Sequence, residues 1–304
     1  LSHKPVLLAE AVESLRLKPG LSVLDATLGG GGHAAEILKR IRPGGRLIGI
    51  DRDPAALDRC RKILEGGDVS LHHANYSKAS EVLDSLNIDF VDAVILDAGF
   101  SSDQLEDAAR GFSFEREGPL DMRMDPGIEK TAKDLIYDLS KSDLEDLFRR
   151  YGEERWARRF AERICEARRE KPIETTLDLA GVIESAMPVS MRFKKGHRPP
   201  WARHNPATKV FQALRISVND ELGSLAGALP VLWARVRPGG RMAVISFHSL
   251  EDRIVKHQFK DWALRKEGTL IVKKPVVPSE AEIRDNSRAR SAKLRVVEKN
   301  EIRS

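Results

Sequence analysis

An α/β fold built on a mostly parallel sheet, interrupted by a helical insertion, is what this sequence predicts. Three observations carry that expectation. Short apolar segments rich in Val, Ile and Leu recur and stop at Asp or at glycine turns, as strands buried on both faces do. The stretch Ser22–Asp53 reads as strand, glycine turn, helix, strand and acidic stop. From Asp103 to His204 the alternation ceases, and three helical patterns follow one another.

The first of these elements is Ser22–Thr27, short, β-branched and apolar, running into Gly29-Gly30-Gly31-Gly32-His33. Ala34–Arg40 has helix composition, and Arg46–Ile50 is a second strand ending at Asp51-Arg52-Asp53-Pro54. In a βαβ unit, glycines after the first strand let a ligand lie against backbone N–H groups at a helix start. A carboxylate ending the second strand then accepts hydrogen bonds from ribose hydroxyls. A nucleoside cofactor is expected here; the plainer reading is a glycine cluster serving turn geometry alone. A dinucleotide fingerprint spaces its glycines G-x-G-x-x-G over a pyrophosphate. Here Asp25 stands four residues before the first glycine of an unbroken run. An acid there repels a pyrophosphate and suits a cationic amino-acid end, which favours S-adenosylmethionine over NAD.

Further strands are expected at Val69–Ala74, at Val91–Leu96 ending in Asp97, and at Arg241–Phe247, with Thr269–Lys274 and Leu294–Glu298 as an antiparallel edge pair. Within the insertion, Ser142-Asp143-Leu144-Glu145 reads as a capping box with Leu144, Leu147, Phe148 and Tyr151 on one face. Glu153–Arg169 carries Trp156, Phe160 and Ile164 inward, and Leu179, Val182, Ile183 and Ala186 mark a helix stopped by Pro188. The α/β pattern returns at Asn205-Pro206, an N-cap followed by proline, and a helical stripe runs from Phe211 to Leu229 until Pro230. Arg42-Pro43-Gly44-Gly45 and Arg237-Pro238-Gly239-Gly240 both precede strands and read as αβ turns. The expected division is 1–102 and 205–304 for the α/β part and 103–204 for the insertion.

At 304 residues, 32% charged and 41% hydrophobic, the chain is expected to be soluble and globular. No apolar run approaches the roughly 20 residues of a membrane span, and the N-terminus lacks a signal-peptide pattern. Cys60 and Cys165 stand 105 apart with no CxxC, which argues against a disulfide framework or a zinc site, and a cytoplasmic chain without metal is expected. The net charge of +5 hides a segregation: Glu81–Asp146 holds 18 acidic and six basic residues. Ser185–Asn219 holds no acid, yet contains Arg192, Lys194, Lys195, Arg198, Arg203, Lys209 and Arg215. A second basic cluster comprises Arg284, Arg288, Arg290, Lys293 and Arg295. Separated charge of this kind suggests a nucleic-acid partner over a merely solvated face.

Two strand ends carry the expected chemistry. Asp97-Ala98-Gly99-Phe100-Ser101-Ser102 lies at the carboxyl edge where open α/β sheets bind ligands. Asp97 is placed to hold an exocyclic amine and to stabilise or accept its proton, or merely to cap a turn. Ser246–Arg253, with His248, follows the fifth strand at the same edge, as a catalytic run or as scaffold. Gly111–Phe114 and Gly118–Asp125 suggest a shaped loop over the site.

At these residues the sequence closely resembles the RsmH (MraW) family, the bacterial 16S ribosomal RNA cytosine-N4 methyltransferases. The matching strings are His3–Leu8, Gly29–His33, Ile50–Pro54, Arg110–Phe114, Gly118–Asp125, Tyr151–Glu154, Phe211–Ile216, Ser246–Arg253 and Ser291–Arg295. The resemblance implies a class I S-adenosylmethionine-dependent methyltransferase with a Rossmann-like sheet, the insertion being its helical substrate-recognition domain. It implies cofactor contacts at Gly31, Gly32, His33, Asp51, Tyr76, Asp97 and Gln104; Asp97 and His248 are the catalytic candidates read from the two strand ends. The implied substrate is a cytidine in the decoding region of 16S ribosomal RNA, presented by the small ribosomal subunit. Tyr76 stands where the family often has Phe, and Asp97-Ala98-Gly99-Phe100-Ser101-Ser102 departs from the usual D-L-G-[VC]-S-S. The family's His-Pro-Ala-Thr is Asn205-Pro206-Ala207-Thr208 here, and its Asn-Pro-Arg-Ser is Asn286-Ser287-Arg288-Ala289. The rivals are a dinucleotide oxidoreductase, a non-catalytic RNA-binding module on the same fold, and a mitochondrial relative with the same chemistry. The oligomeric state is left open, as monomer or homodimer.

Overall fold

A computed structural model describes residues 5–187 and 205–301 and divides the chain into two compact units, Leu1–Ser101 with Leu222–Ser304, and Ser102–Glu221. The first unit runs α1 (Leu8–Ser14), β1 (Ser22–Asp25), α2 (Gly32–Ile41), β2 (Arg46–Asp51), α3 (Pro54–Ile63), β3 (Asp68–His73), α4 (Ala79–Ser85) and β4 (Val91–Asp97). The second contains α5 (Ser102–Glu106), α6 (Ala132–Asp138), α7 (Lys141–Gly152), α8 (Ala157–Glu170), α9 (Thr176–Ala186) and α10 (Ala207–Asn219). The chain then completes the first unit with α11 (Glu221–Arg235), β5 (Val236–Ser246), α12 (Ser249–Leu264), β6 (Gly268–Leu270), α13 (Glu280–Asp285) and β7 (Lys293–Lys299).

The seven strands form one sheet in the order β3-β2-β1-β4-β5-β7-β6. Strands β1 to β5 are parallel, and β7 is antiparallel to both β5 and β6, as expected for the edge. Alternate residues feed two cores: Val23, Ile95 and Ile245 pack with α1 to α3 on one face, and Leu24, Val94 and Val244 pack with α4, α11 and α12 on the other. Burial on both faces is why these strands read as continuous apolar runs. The chain moves from β1 outward to β3 and then returns to β4 on the other side of β1, so the strand order reverses at β1. Open α/β sheets bind their ligands at such a reversal. Asp25 pairs with Gly49 and with Ile95, so β2 and β4 each continue two residues further, to Asp51 and Asp97. Two residues are about 6.6 Å of strand. The short β1 leaves a notch at its carboxyl end with Asp25 at its floor.

In the second unit α7, α8 and α9 pack in sequence, and α10 packs against α6, α7 and α9. Phe148, Phe160, Ile164, Ile183 and Leu214 are buried there. The boundary expected at residues 204 and 205 therefore moves to Glu221. The apolar stripe of α10 is helical as expected, but it finds its partner among the insertion helices rather than on the sheet. The stripe is also two helices, because Asp220 turns left-handed (φ 44) between α10 and α11. Pro230 lies inside α11; buried neighbours Leu229 and Leu232 hold the helix through the missing N–H. The capping box of α7 is Ser140 with Asp143, two residues before the expected one, and α9 has another at Thr175 and Asp178. Arg237–Gly240 is an irregular opening within β5 where the pairing with β4 shifts register, not a separate turn. Strand β6 spans three residues where six were expected. Among the described residues no helix is long and apolar enough to cross a membrane.

Candidate active site

The notch is lined by Asp25 at its floor, Asp51 at the end of β2, the glycine turn with His33, and Asp97 at the end of β4. Asp25 is 1% exposed; one carboxylate oxygen accepts the Thr27 N–H at 3.1 Å, and the other, Oδ2, is buried without a partner. Burial pushes its pKa well above the usual carboxylate range, and the charges of Asp97 and Asp51 push the same way. At the end of β2, the two Asp51 oxygens accept the N–H groups of Gly29 and Asp53, each at 2.8 Å. Those bonds tie the glycine turn to β2 and leave one lone pair on each oxygen for a further donor. Burial raises the Asp51 pKa against the lowering effect of the two N–H bonds. Asp53 caps α3 through the Ala55 N–H, with Pro54 in the first turn.

Between them the glycine turn opens α2. Gly31 is left-handed (φ 77), and a Cβ there would lie 3.0 Å from the Cys60 sulfur. A Cβ on Gly32 would come within 2.5 Å of Pro5, which lies across the turn. Glycine is required here by conformation at Gly31 and by close approach at Gly32. Burial drives the Cys60 thiol up to about 12, so it is a neutral packing group.

His33, in the first turn of α2, is buried and bonded through Nε2 to the Val6 carbonyl at 3.1 Å. A carbonyl only accepts, so Nε2 carries the proton and Nδ1 presents a lone pair. That lone pair lies 3.9 Å from an Asp97 carboxylate oxygen. Burial lowers the imidazole pKa to about 4, although the Val6 bond opposes it. The ring is therefore neutral and its approach to Asp97 is not an ion pair. The His33 Nδ1 lone pair and an Asp97 oxygen stand 3.9 Å apart, Asp97 Oδ1 accepts the Gly99 N–H at 3.4 Å, and Asp25 Oδ2 is buried without a partner. Thr27 seats the other side of Asp97, its hydroxyl accepting the Asp97 N–H at 2.6 Å.

Tyr76 sits in a 3₁₀ turn after β3 capped by Asn75; it is buried, and the Arg52 guanidinium lies 5.4 Å from its ring centroid. Gly99 gives Phe247 room, since a Cβ would meet that ring at 2.6 Å. Phe100, the departure from the family pattern, lies under the Arg288 guanidinium at 6.0 Å. Gln104 belongs to the second unit, buried on α5.

The end of β5 is different. His248 is the N-cap of α12, its Nδ1 accepting the Glu251 N–H at 3.5 Å. Its Nε2 lies 3.1 Å from a Glu251 oxygen, but off the line of the ring N–H, so no hydrogen bond forms. Glu251 instead accepts the Phe247 N–H at 2.8 Å. Asp252 bonds Arg295 at 2.7 Å and Lys293 at 3.0 Å, which removes two members of the second basic cluster from a free surface. Burial raises the Asp252 pKa, but those two cations bring it below the ordinary range.

The second unit holds its own loop rigidly. Asn219 accepts the Met124 N–H and donates to the Met122 carbonyl, both at 2.7 Å, while Arg110 donates to the carbonyls of Arg123 and Met124. Of the first basic stretch, Arg192, Lys194, Lys195, Arg198 and Arg203 lie outside the described residues. Lys209 donates to the Glu153 carbonyl, and Arg215 forms a two-pronged pair with Glu221. The charge signal in the sequence missed another corner, between α7 and α8. Arg150, Arg155, Arg158 and Arg159 are exposed there, with Arg150 over the Tyr151 ring and Arg155 over the Trp156 ring. No acid stands in the first turn of α8, where Arg158 and Arg159 oppose the helix dipole.

Comparison with known proteins places the chain. The profile of the MraW methylase family matches residues 1–300. The protein named ribosomal RNA small subunit methyltransferase H of Halothermothrix orenii is 44% identical, over 98% of this chain and 99% of its own. That of Geobacter sulfurreducens is 48% identical over 98% and 99%, and that of Pelobacter propionicus is 47% identical over 98% of each. Among solved structures, an rRNA methylase from Streptococcus thermophilus aligns over 97% of this chain and 93% of its own, at 10% identity and a TM-score of 0.41, too distant to add weight. The sheet, reversing at β1 with helices on both faces, is the class I arrangement that the sequence resemblance implied. With the profile matched nearly end to end and relatives covered over almost their whole length, this chain belongs to the MraW methylase family.

Proposed function

We propose that this chain methylates small-subunit ribosomal RNA from S-adenosylmethionine, and that the acceptor is N4 of a cytidine in the decoding region of 16S RNA, presented by the small subunit. The printed names of the relatives support the coarser part of this reading. The observation that carries the cofactor is Asp25 Oδ2, buried without a partner and close enough to Asp97 and Asp51 to feel their charges: an acidic pocket of this kind suits an ammonium and repels a pyrophosphate. That disfavours the dinucleotide rival.

When bound, S-adenosylmethionine supplies a methyl group on a cationic sulfur. Asp51 would hold the ribose hydroxyls with its remaining lone pairs, Tyr76 would wall the adenine, and Gly31, Gly32 and His33 would take the amino-acid end. Extracting the target base from its stack costs roughly a few kcal/mol. Asp97 then accepts an N–H of the exocyclic amine, which aims the nitrogen lone pair at the methyl carbon. As the C–N bond formed, the methyl–sulfur bond would break and the neutral S-adenosylhomocysteine would leave; the positive charge passed to nitrogen would be stabilised by Asp97, which would take the departing proton or hand it to water. His248 fixes the end of β5 against which the base edge would lie. The arginine corner of α7 and α8 offers phosphate partners and two stacked guanidinium–aromatic surfaces, the combination nucleic acids use.

The deciding experiment incubates the purified chain with methyl-labelled cofactor and small subunits from a strain lacking the enzyme, followed by mass spectrometry of the RNA. A label on cytidine N4 is expected. A label on another atom, or labelling of free RNA in preference to subunits, would refute the finer reading.

A further inference from the structure

We propose that Glu282, on α13, is a positioning residue for the cofactor end of the site, acting on His33 through the peptide group that joins Val6 to Leu7. The Leu7 N–H donates to a Glu282 carboxylate oxygen at 2.7 Å, and the Val6 carbonyl accepts from His33 Nε2 at 3.1 Å. These are the two ends of one amide. In a trans peptide they point in opposite directions, so that amide stands between the carboxylate on one side and the imidazole on the other.

A carboxylate bonded to an amide N–H draws electron density toward the carbonyl oxygen, which strengthens that oxygen as an acceptor. His33 is thereby held with its proton on Nε2 and its Nδ1 lone pair toward Asp97, 3.9 Å away. A carboxylate behind a functional histidine commonly fixes its tautomer and raises the basicity of the far nitrogen; here a peptide group is interposed. The surroundings are built for rigidity. Leu7 is fully buried and left-handed (φ 53), a conformation that leucine adopts only under constraint. Pro5 is seated on the glycine turn so closely that Gly32 admits no side chain. Ser279 caps α13 by accepting the Glu282 N–H at 3.2 Å, which fixes the carboxylate's own backbone. Glu282, 275 residues from Leu7 in sequence, is thus tied through that peptide to the first turn of α2.

The inference rests on reading the notch as the S-adenosylmethionine site, and its test separates the two. The full-length chain, labelled with ¹⁵N-histidine, is examined by NMR as wild type, Glu282→Ala and Glu282→Gln, with His33→Asn locating the His33 signals. Affinity for S-adenosylhomocysteine is measured by calorimetry and folding by thermal melts. In wild type the His33 signals are those of the Nε2–H tautomer. Glu282→Ala shifts them toward a mixture of tautomers and raises the dissociation constant about tenfold, while Glu282→Gln, which keeps an acceptor for the Leu7 N–H, restores both. A lower melting temperature in Glu282→Ala with unchanged His33 signals and unchanged affinity overturns the proposal and leaves Glu282 a structural tether. A wild-type chain that fails to bind S-adenosylhomocysteine overturns the cofactor reading instead, and the His33 signals then judge the relay alone.

Discussion

The carboxyl ends of β1, β2 and β4 and the end of β5 lie on one sheet edge and look alike in sequence, each dense in acids beside a histidine. Hydrogen-bond accounting separates them. At the notch Asp25 keeps an unpartnered oxygen, and His33 and Asp97 face each other as acceptors. At the end of β5 the acids are satisfied, Glu251 by the Phe247 N–H and Asp252 by Arg295 and Lys293, while His248 caps α12 through Nδ1 and keeps a buried Nε2 without a partner. A buried acid without a partner is tolerated where a ligand completes it, whereas a satisfied one belongs to the scaffold. Among the carboxylates, the difference between a site and its support is therefore read from what their oxygens lack.

The largest expected effect tests both regions at once. Asp97→Ala lowers single-turnover methylation at saturating cofactor about 10²–10⁴-fold, the usual worth of a group handling the transferred proton, and also weakens cofactor binding. His248→Asn keeps a good N-cap and so keeps stability. If His248→Asn also keeps the single-turnover rate, the imidazole is scaffold; a loss of rate at unchanged melting temperature makes it part of the chemistry and breaks the comparison.

Next in size is Asp252→Ala, which leaves Arg295 and Lys293 without their shared partner. Removing one side of a largely buried pair costs about 3 kcal/mol, to be read from urea unfolding. A cofactor affinity that falls while stability holds would put Asp252 in the site instead.

The smallest effect has the opposite sign. Asp25→Asn removes a charge that burial disfavours, and stability at neutral pH rises on the order of 1 kcal/mol as cofactor affinity falls. The folded pKa of Asp25 is raised, so its favourable contribution is complete below the ordinary carboxylate range and is lost as pH rises through the raised value. The gain from Asp25→Asn therefore grows with rising pH and vanishes in acid. His33 runs the other way: its contribution is present above 6.5 and is lost as pH falls through about 4. Melting curves for both chains from acid to neutral pH check the slopes; a gain largest in acid would show that Asp25 is ionised and stabilised as an anion.

The parallel sheet, the antiparallel edge, the helical insertion and the residues at the strand ends are legible in the sequence. Strand burial on both faces, glycine turns and capping chemistry are local signals with short range. The family is legible there too, because strings such as Gly29–His33 and Ser246–Arg253 recur together. That α10 belongs with the insertion emerges only from packing, because an apolar helical face does not name the surface that will cover it. Only the structure separated Asp252 from Asp97, since both are acids at a strand end and their partners, Arg295 and Thr27, are distant in sequence. The tie from Glu282 to His33 was illegible for the same reason: it passes through a backbone amide at the other end of the chain, and no side-chain pattern records which peptide a carboxylate will meet.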